Sequence, residues 1–367
     1  MDEAPDLRWM ARALGLAARG LGLTSPNPAV GALLVRHGEV VGEGAHLRAG
    51  GPHAEATALA EAGERAQGAT CYVTLEPCAH QGRTPPCAEA LIAAGVAEVV
   101  AACPDPNPLV NGRGIERLRA AGVRVRLGVA EAEARALNRA FFGAMSRGRP
   151  HVTLKTAMTL DGKIAAWDGA SRWITGEAAR LEAHRLRFLA DAVLVGVGTV
   201  LRDDPKLTVR LPDAPAKEPL RVVADSRLRT PADARVLAAG DPSRTLVACV
   251  EPAPADAAAR LRARGVRVLE LAEDRGRVDL GALLSALGRL DVVAVLVEGG
   301  AELAWGLVDA GLVDRVAFFV APRLLGGRTA PGPLGGPGRT LKDALPLAGV
   351  TWRRVGDDLL VEADVVA

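Results

Sequence analysis

Short apolar strands alternate with Ala-rich helical segments through the first 146 residues, stop at "SRGRP" (146–150), and resume at 151. A chain patterned this way folds as strand–helix–strand units, with helices packed over a largely parallel sheet. In the first half the spacing predicts a helix at 7–20 and paired strands at 29–35 and 40–45. It then predicts a helix at 53–66, a strand at 71–75, a helix at 87–95 closed by Gly95 and a strand at 96–103. A helix at 114–122, a strand at 123–128 and a helix at 131–146 complete a three-layer α/β domain. The Gly/Pro break divides the chain into expected domains 1–147 and 151–367. In the second, strands are expected at 151–158, 191–196, 220–225, 245–250, 266–271, 292–297 and 315–320, with helices at 177–189, 252–265 and 281–290. The segment 324–340 is rich in Gly and Pro and reads as a surface loop.

A net charge of +2 and 3% aromatics over 367 residues leave no basic, base-stacking face, so long nucleic acid is not an expected partner. No run of 18 apolar residues is present and the N-terminus opens acidic, so neither a membrane span nor a secretory signal is expected. Five cysteines in such a chain suggest a reducing cytoplasm, where closely set cysteines are more often metal-binding or catalytic than bridged.

"TLEPCAHQGRTPPCAEA" (74–90) places Cys78 and Cys87 after prolines, separated by the eight residues AHQGRTPP. Upstream, His53 and Glu55 form a His-x-Glu pair at the start of a predicted helix. One imidazole and two thiolates make a three-ligand zinc site that leaves the fourth position for water, as catalytic zinc requires. Zinc brings the pKa of that water toward neutrality, and Glu55 would carry its proton to a leaving amine. This is the pattern of the zinc deaminases, except that their second cysteine ordinarily follows the first by three positions. Core packing for the cysteines and helix capping for the histidine are the bland alternatives. Cys71, Cys103 and Cys249 lie in or beside apolar strands and read as core.

"TSPNPAVGA" (24–32), "HAEATAL" (53–59), "TLEPCAHQGRTPPC" (74–87) and "PDPNPLVNGRGIERLRAAG" (104–122) resemble the deaminase half of the bifunctional riboflavin-biosynthesis deaminase–reductase family. The enlarged cysteine loop is a mark of that branch. The resemblance implies a cytidine-deaminase-like domain acting by zinc hydroxide on 2,5-diamino-6-ribosylamino-4(3H)-pyrimidinone 5′-phosphate. It assigns zinc to His53, Cys78 and Cys87, proton transfer to Glu55, pyrimidine contacts to Asn27 and Asp105, and the substrate phosphate to His80 and Arg83. Asn27 and Asp105 serve equally well as turn formers. His80 has a second possible use, as the fourth ligand of a closed structural site.

The second half lacks a G-x-G-x-x-G between strand and helix, so a conventional dinucleotide fold is not expected. "VGVGTVLRDDP" (195–205) reads as a strand-end turn, and "VEGGAELAWG" (297–306) as a strand running through Gly299–Gly300 into a helix whose N–H groups could hold phosphate. "LKTAMTLDGKIA" (154–165), "SRWITG" (171–176), "HRLRFLADAVLVGVGTVLRDDPKLTVR" (184–210) and "VEGGAELA" (297–304) resemble the family's reductase half. That half is similar to dihydrofolate reductase in fold and uses NADPH to turn the ribosyl group into ribityl. The resemblance places Ala157, Trp173, Thr175, Thr199 and Asp203 at the cofactor, with Gly300, Ala301, Glu302, Leu303, Ala304, Trp305 and Gly306 under its phosphates. Ser171, Arg187, Leu207, Arg210 and Glu298 are expected around the substrate, and Lys155 and Asp161 in proton handling or site polarity. Trp173 is otherwise a core anchor and Asp161 a turn former. The resemblance also implies a homo-oligomer, a dimer or tetramer built through the second domain.

Overall fold

The computed structural model describes residues 3–79, 86–107 and 110–366. They form two compact units, Met1–Arg147 and Gly148–Ala367.

In the first unit five strands, β1 (Gly31–Arg36), β2 (Glu39–Ala45), β3 (Thr70–Val73), β4 (Glu98–Ala101) and β5 (Arg124–Leu127), make one sheet in the order β2-β1-β3-β4-β5. The β1–β2 and β1–β3 pairs are antiparallel, and β3, β4 and β5 run parallel. Helices cover both faces. Trp9, Met10 and Ala13 of the helix Glu3–Ala18 pack with Leu33, Tyr72 and Val100 on one side. Ala54, Ala58 and Ala62 of the helix Ala54–Ala62, and Leu91 of the helix Cys87–Ala93, pack with Leu34, Val73 and Val99 on the other.

The expected helix at 131–146 is two helices, Glu131–Leu137 and Arg139–Arg147. Asn138 between them is buried and spends its carboxamide on the backbone of Ala29, accepting from its N–H and donating to its carbonyl, both at 2.8 Å. That pair of bonds ties the junction between the two helices to the segment leading into β1. Gly95 does close its helix, with φ +68 beyond Ala94.

The second unit is built on a nine-stranded sheet. Its strands are β6 (His151–Thr159), β7 (Ala192–Gly196), β8 (Leu220–Ala224), β9 (Thr245–Val250), β10 (Arg267–Leu271), β13 (Ala294–Val297), β14 (Arg315–Ala321), β15 (Leu347–Val355) and β16 (Asp358–Val365); β11 (Glu273–Asp274) and β12 (Arg277–Val278) form a separate ribbon. The order is β10-β9-β8-β7-β13-β6-β14-β16-β15, parallel from β10 through β14 and antiparallel at β16 and β15. Leu283, Leu287, Leu303 and Leu307 fill one face against Leu154, Leu194 and Val297, while Val200, Val236, Leu237 and Leu261 fill the other against Val193, Val223 and Val247.

The long pair β15–β16 is absent from the sequence reading. Eight of the nine residues of β15 are exposed, so neither face carries the apolar alternation that announces a strand. The segment 195–205 also differs, since a helix, Val197–Asp203, follows β7 directly. No helix among the described residues is long and apolar enough to cross a membrane.

Candidate active sites

The metal site starts from two glycines. A β-carbon on Gly42 would lie 2.3 Å from the Ala58 carbonyl oxygen, and one on Gly44 would lie 2.1 Å from that of Ala54. Only glycine permits this approach, so the Ala-rich helix lies directly on β2 and its first turn is fixed in place. His53 is the extended residue before that helix, and its carbonyl accepts from the backbone N–H (3.1 Å) and hydroxyl (3.2 Å) of Thr57. Cys87 opens the next helix, whose Ala88 N–H donates to the Cys78 carbonyl at 3.1 Å.

These anchors bring the three donors together. His53 Nδ1 is 3.2 Å from Cys87 Sγ and 3.6 Å from Cys78 Sγ, and the Cys87 N–H donates to Cys78 Sγ at 3.4 Å. All three ligand atoms lie within 4.8 Å of one another. One imidazole and two soft sulfurs in this arrangement suit zinc. Hydrogen bonds from Cys87 and His53 pull the Cys78 thiol far below its ordinary pKa, while pairing with Cys78 and burial push Cys87 up. Glu55 is only 4% exposed, and burial raises its carboxyl to about 7, with its own backbone and His53 opposing the rise. A carboxyl titrating near neutrality takes up and gives back a proton with little driving force lost either way.

Asn27 lies at the surface beside this site, its Nδ2 3.3 Å from His46 Nε2. His46, which the sequence reading missed, is buried, meets the His53 ring edge-on at 5.5 Å, and has Nδ1 2.9 Å from the Pro52 carbonyl. A carbonyl can only accept, so Nδ1 carries the proton and Nε2 accepts from the Asn27 amide. Asn27 therefore turns its Oδ1 away from His46. A single histidine after a strand offers no signal that would have found this. Asp105 is buried and accepts from the Asn107 N–H at 2.8 Å, the turn-forming geometry. His80 and Arg83 lie outside the described residues.

In the second unit part of the set expected around the substrate gathers near Glu298. Arg187 grips its carboxylate with two nitrogens, Nε on Oε1 and Nη2 on Oε2, the latter at 2.9 Å, and Lys155 Nζ stands 3.6 Å from Oε2. Burial alone would raise the Glu298 pKa, but Arg187 and Lys155 outweigh it and hold the group at about 2. Arg187 also donates to the Thr208 carbonyl at 3.0 Å, next to Leu207, which is buried with φ +54. His184, absent from the sequence reading, places Nε2 3.1 Å from Arg210 Nη2. Burial and the neighbouring Arg187 and Arg210 depress it to about 4. It is neutral at physiological pH and adds no positive charge beside Arg210.

Ser171 donates to Asp203 at 3.2 Å, which joins an expected substrate residue to an expected cofactor residue. A β-carbon on Gly300 would lie 3.8 Å from Thr199 Oγ1, so the helix starts after β7 and β13 stand side by side. Gly300 caps the helix Ala301–Asp309 with extended backbone and no side-chain cap, leaving its first N–H groups for a phosphate. Within that helix Leu303 and Ala304 are committed to the core, Glu302 pairs with Arg277 at 3.1 Å, and Trp305 packs against Gly336. Gly306 abuts Leu280. The fit to a cofactor phosphate therefore rests on the backbone of Gly300 and Ala301.

Ala157 is half-buried on β6 opposite Phe319, and Thr175 is buried. Trp173 is no core anchor. It is 62% exposed, with the Arg180 guanidinium over its ring at 4.7 Å and Arg323 donating to its carbonyl at 2.9 Å. Asp161 accepts from Thr159 Oγ1 at 2.6 Å and from the N–H groups of Leu325 and Gly326 at 3.1 and 2.7 Å. These bonds, Thr159 foremost, lower it to about 2, which makes it a loop anchor and a poor proton carrier.

Two family models match the chain: the cytidine and deoxycytidylate deaminase zinc-binding region over residues 4–103, and the RibD C-terminal domain over residues 150–361. The chain is 44% identical to the riboflavin biosynthesis protein RibD of Actinobacillus pleuropneumoniae, covering 99% of this chain and 96% of that protein. It is 46% identical to RibD of Escherichia coli K12, covering 88% and 89%. RibD of Acinetobacter baumannii superposes with a TM-score of 0.90 at 41% identity, over the full length of both chains. The Thermotoga maritima diaminohydroxyphosphoribosylaminopyrimidine deaminase/5-amino-6-(5-phosphoribosylamino)uracil reductase superposes with a TM-score of 0.86 at 35% identity, again over both full lengths. The first unit thus has the cytidine-deaminase-like fold and the second the dihydrofolate-reductase-like fold of RibD. The chain belongs to the RibD family of bifunctional riboflavin-biosynthesis enzymes, a zinc-binding deaminase domain followed by a reductase domain.

Proposed function

We propose that residues 1–147 hydrolytically deaminate 2,5-diamino-6-ribosylamino-4(3H)-pyrimidinone 5′-phosphate, and that residues 151–367 reduce the product's ribosyl group to ribityl with NADPH. The observation that carries the reading is the buried Glu55 carboxyl beside the His53, Cys78 and Cys87 donors. His53, Cys78 and Cys87 would hold zinc, which would supply Lewis-acid activation of water near neutral pH. Glu55 accepts a proton from the attacking water and returns it to the departing nitrogen, so oxygen replaces the exocyclic amino group and ammonia leaves. Asn27 and Asp105 contact the pyrimidine, and His80 and Arg83 hold its phosphate.

In the second unit NADPH, once bound, would supply the hydride for reduction at C1′ of the sugar. Gly300 and Ala301 take a cofactor phosphate, and Ala157, Trp173, Thr175, Thr199 and Asp203 line the remainder. Arg187 and Arg210 hold the substrate phosphate, with Ser171 and Leu207 beside them. Glu298 fixes the Arg187 guanidinium through its paired bonds. Lys155, close to that carboxylate, keeps the pocket positive. The exposed β15, carrying Leu347, Val350 and Trp352 at the sheet edge, supports pairing with a second copy through this unit. Five free cysteines fit a reducing cytoplasm.

The test is purified protein with the diaminopyrimidinone ribotide, following ammonia with and without NADPH. Ammonia in both cases, with NADPH oxidised only after deamination, is the expected result. NADPH oxidation without ammonia release defeats the assignment of order, and no ammonia from zinc-loaded protein defeats the deaminase.

A further inference from the structure

Glu76 precedes the Pro77–Cys78 pair, and its side chain is buried. Its carboxylate accepts four backbone N–H groups from a segment about thirty to forty residues further on: Asp105 (3.2 Å) and Gly112 (3.0 Å) on Oε2, Gly114 (2.9 Å) and Ile115 (3.3 Å) on Oε1. The last two open the helix Arg113–Ala120, whose N-cap, Gly112, has φ +83 and no side chain with which to cap. Glu76 therefore caps that helix from another part of the chain and, with the same carboxylate, ties down Asp105. The two segments are also in close contact, since a β-carbon on Gly114 would lie 1.9 Å from the Pro77 carbonyl oxygen. Glu76's own N–H donates to the Cys103 carbonyl at 3.0 Å, closing the link between the metal-ligand segment and the strand end that leads into Asp105.

We propose that Glu76 is a positioning residue for deamination, setting the Asp105 loop at a fixed distance from the zinc ligands so that pyrimidine and metal are held in register. The inference rests on the reading of Asp105 as a pyrimidine contact. A carboxylate is needed because every lone pair faces a donor. In glutamine one oxygen becomes an NH2 group that confronts two N–H groups, leaving buried donors unpaired.

The experiment is steady-state deamination by Glu76→Gln in the full chain, with zinc content and reduction of pre-deaminated substrate measured on the same preparation. Glu76→Gln raises KM for the ribotide by about tenfold, equivalent to about 1.4 kcal/mol, with a smaller change in kcat and with zinc and reductase retained. In an Asp105→Asn background the effect of Glu76→Gln shrinks toward nothing, because both act through one contact. An unchanged KM overturns the proposal, as does a penalty that adds in full to the raised KM of an Asp105→Asn variant that is itself impaired. If Glu76→Gln loses zinc or fails to fold, Gly114→Ala decides, since it displaces the same loop and leaves the carboxylate in place. A raised KM with zinc retained supports positioning, whereas an unchanged KM, or zinc loss from this variant as well, overturns it. If Asp105→Asn alone is silent, the reading of Asp105 fails by itself. A KM rise in Glu76→Gln then still upholds positioning of the loop through another of its residues, and no rise overturns it.

Discussion

The two active sites are assembled in different ways. In the deaminase unit His53, Glu55 and Cys87 come from the starts of two helices and Cys78 from the irregular segment that follows β3, with His53 and Glu55 only two residues apart. In the reductase unit the central ion pair joins Arg187 to Glu298, 111 residues away, and Lys155 reaches the same carboxylate from a third element. A site held by local geometry depends on a few backbone approaches, whereas one held by buried charge depends on keeping every charge paired. Substitutions in the two units should therefore fail differently, and each unit's activity serves as a control for the other.

The largest effect is expected at Glu55. Glu55→Gln removes the proposed proton carrier and leaves His53, Cys78 and Cys87, so ammonia release should fall by about two to four orders of magnitude. Metal content and reduction of pre-deaminated substrate should stay at wild-type levels. If both activities fell together, the division into separate sites would be broken.

Next comes Glu298. Glu298→Gln leaves the Arg187 guanidinium without its anion in a buried setting, a change that costs about 3–5 kcal/mol in such pairs. Urea unfolding followed by loss of reductase activity measures it, with zinc retained in the first unit. The wild type should show a matching acid sensitivity. The folded pKa of Glu298 is depressed from 4.5 to about 2, so its stabilisation is complete above about pH 4.5 and is lost as pH falls toward 2. At 1.36 kcal/mol per unit this amounts to about 3 kcal/mol. A second unit whose stability is flat between pH 5 and 2.5 would contradict the ion-pair account.

This difference in construction also explains what the amino-acid pattern revealed. The zinc donors and Glu55 are legible because each sits beside a helix start or a proline, so spacing alone groups them. The parallel strands are legible because both faces are buried and each reads as an apolar run. β15 is not, because its side chains face solvent on both sides. Nor is the split at Asn138, since a carboxamide that grips Ala29 looks in sequence like any polar helix residue. His46, Glu76 and His184 act through partners distant in the chain, and nothing local marks them. Asp161 and Trp173 carried two readings each. The loop bonds of Asp161 favour the turn former, and the exposure of Trp173 rules out the core anchor.

The comparison sharpens at two glycines. Gly44→Ala forces a methyl into the Ala54 carbonyl and must lift the first turn that carries Glu55 and follows His53. Overpacking of this kind costs about 1–3 kcal/mol, and deamination should drop along with stability while reduction persists. Gly196, at the end of β7, is the counterpart in the reductase. An added β-carbon there would meet only Leu303 Cβ at 3.7 Å, an ordinary contact, and its backbone has a negative φ of −82° that alanine adopts freely. Gly196→Ala should stay within about 0.5 kcal/mol of wild type and leave the KM for NADPH unchanged. Thermal unfolding and cofactor titration of the same preparation check both. Unchanged stability with a sharply raised KM would mean that a ligand, not the fold, requires this glycine, and the reductase would then share the deaminase's reliance on close backbone approach.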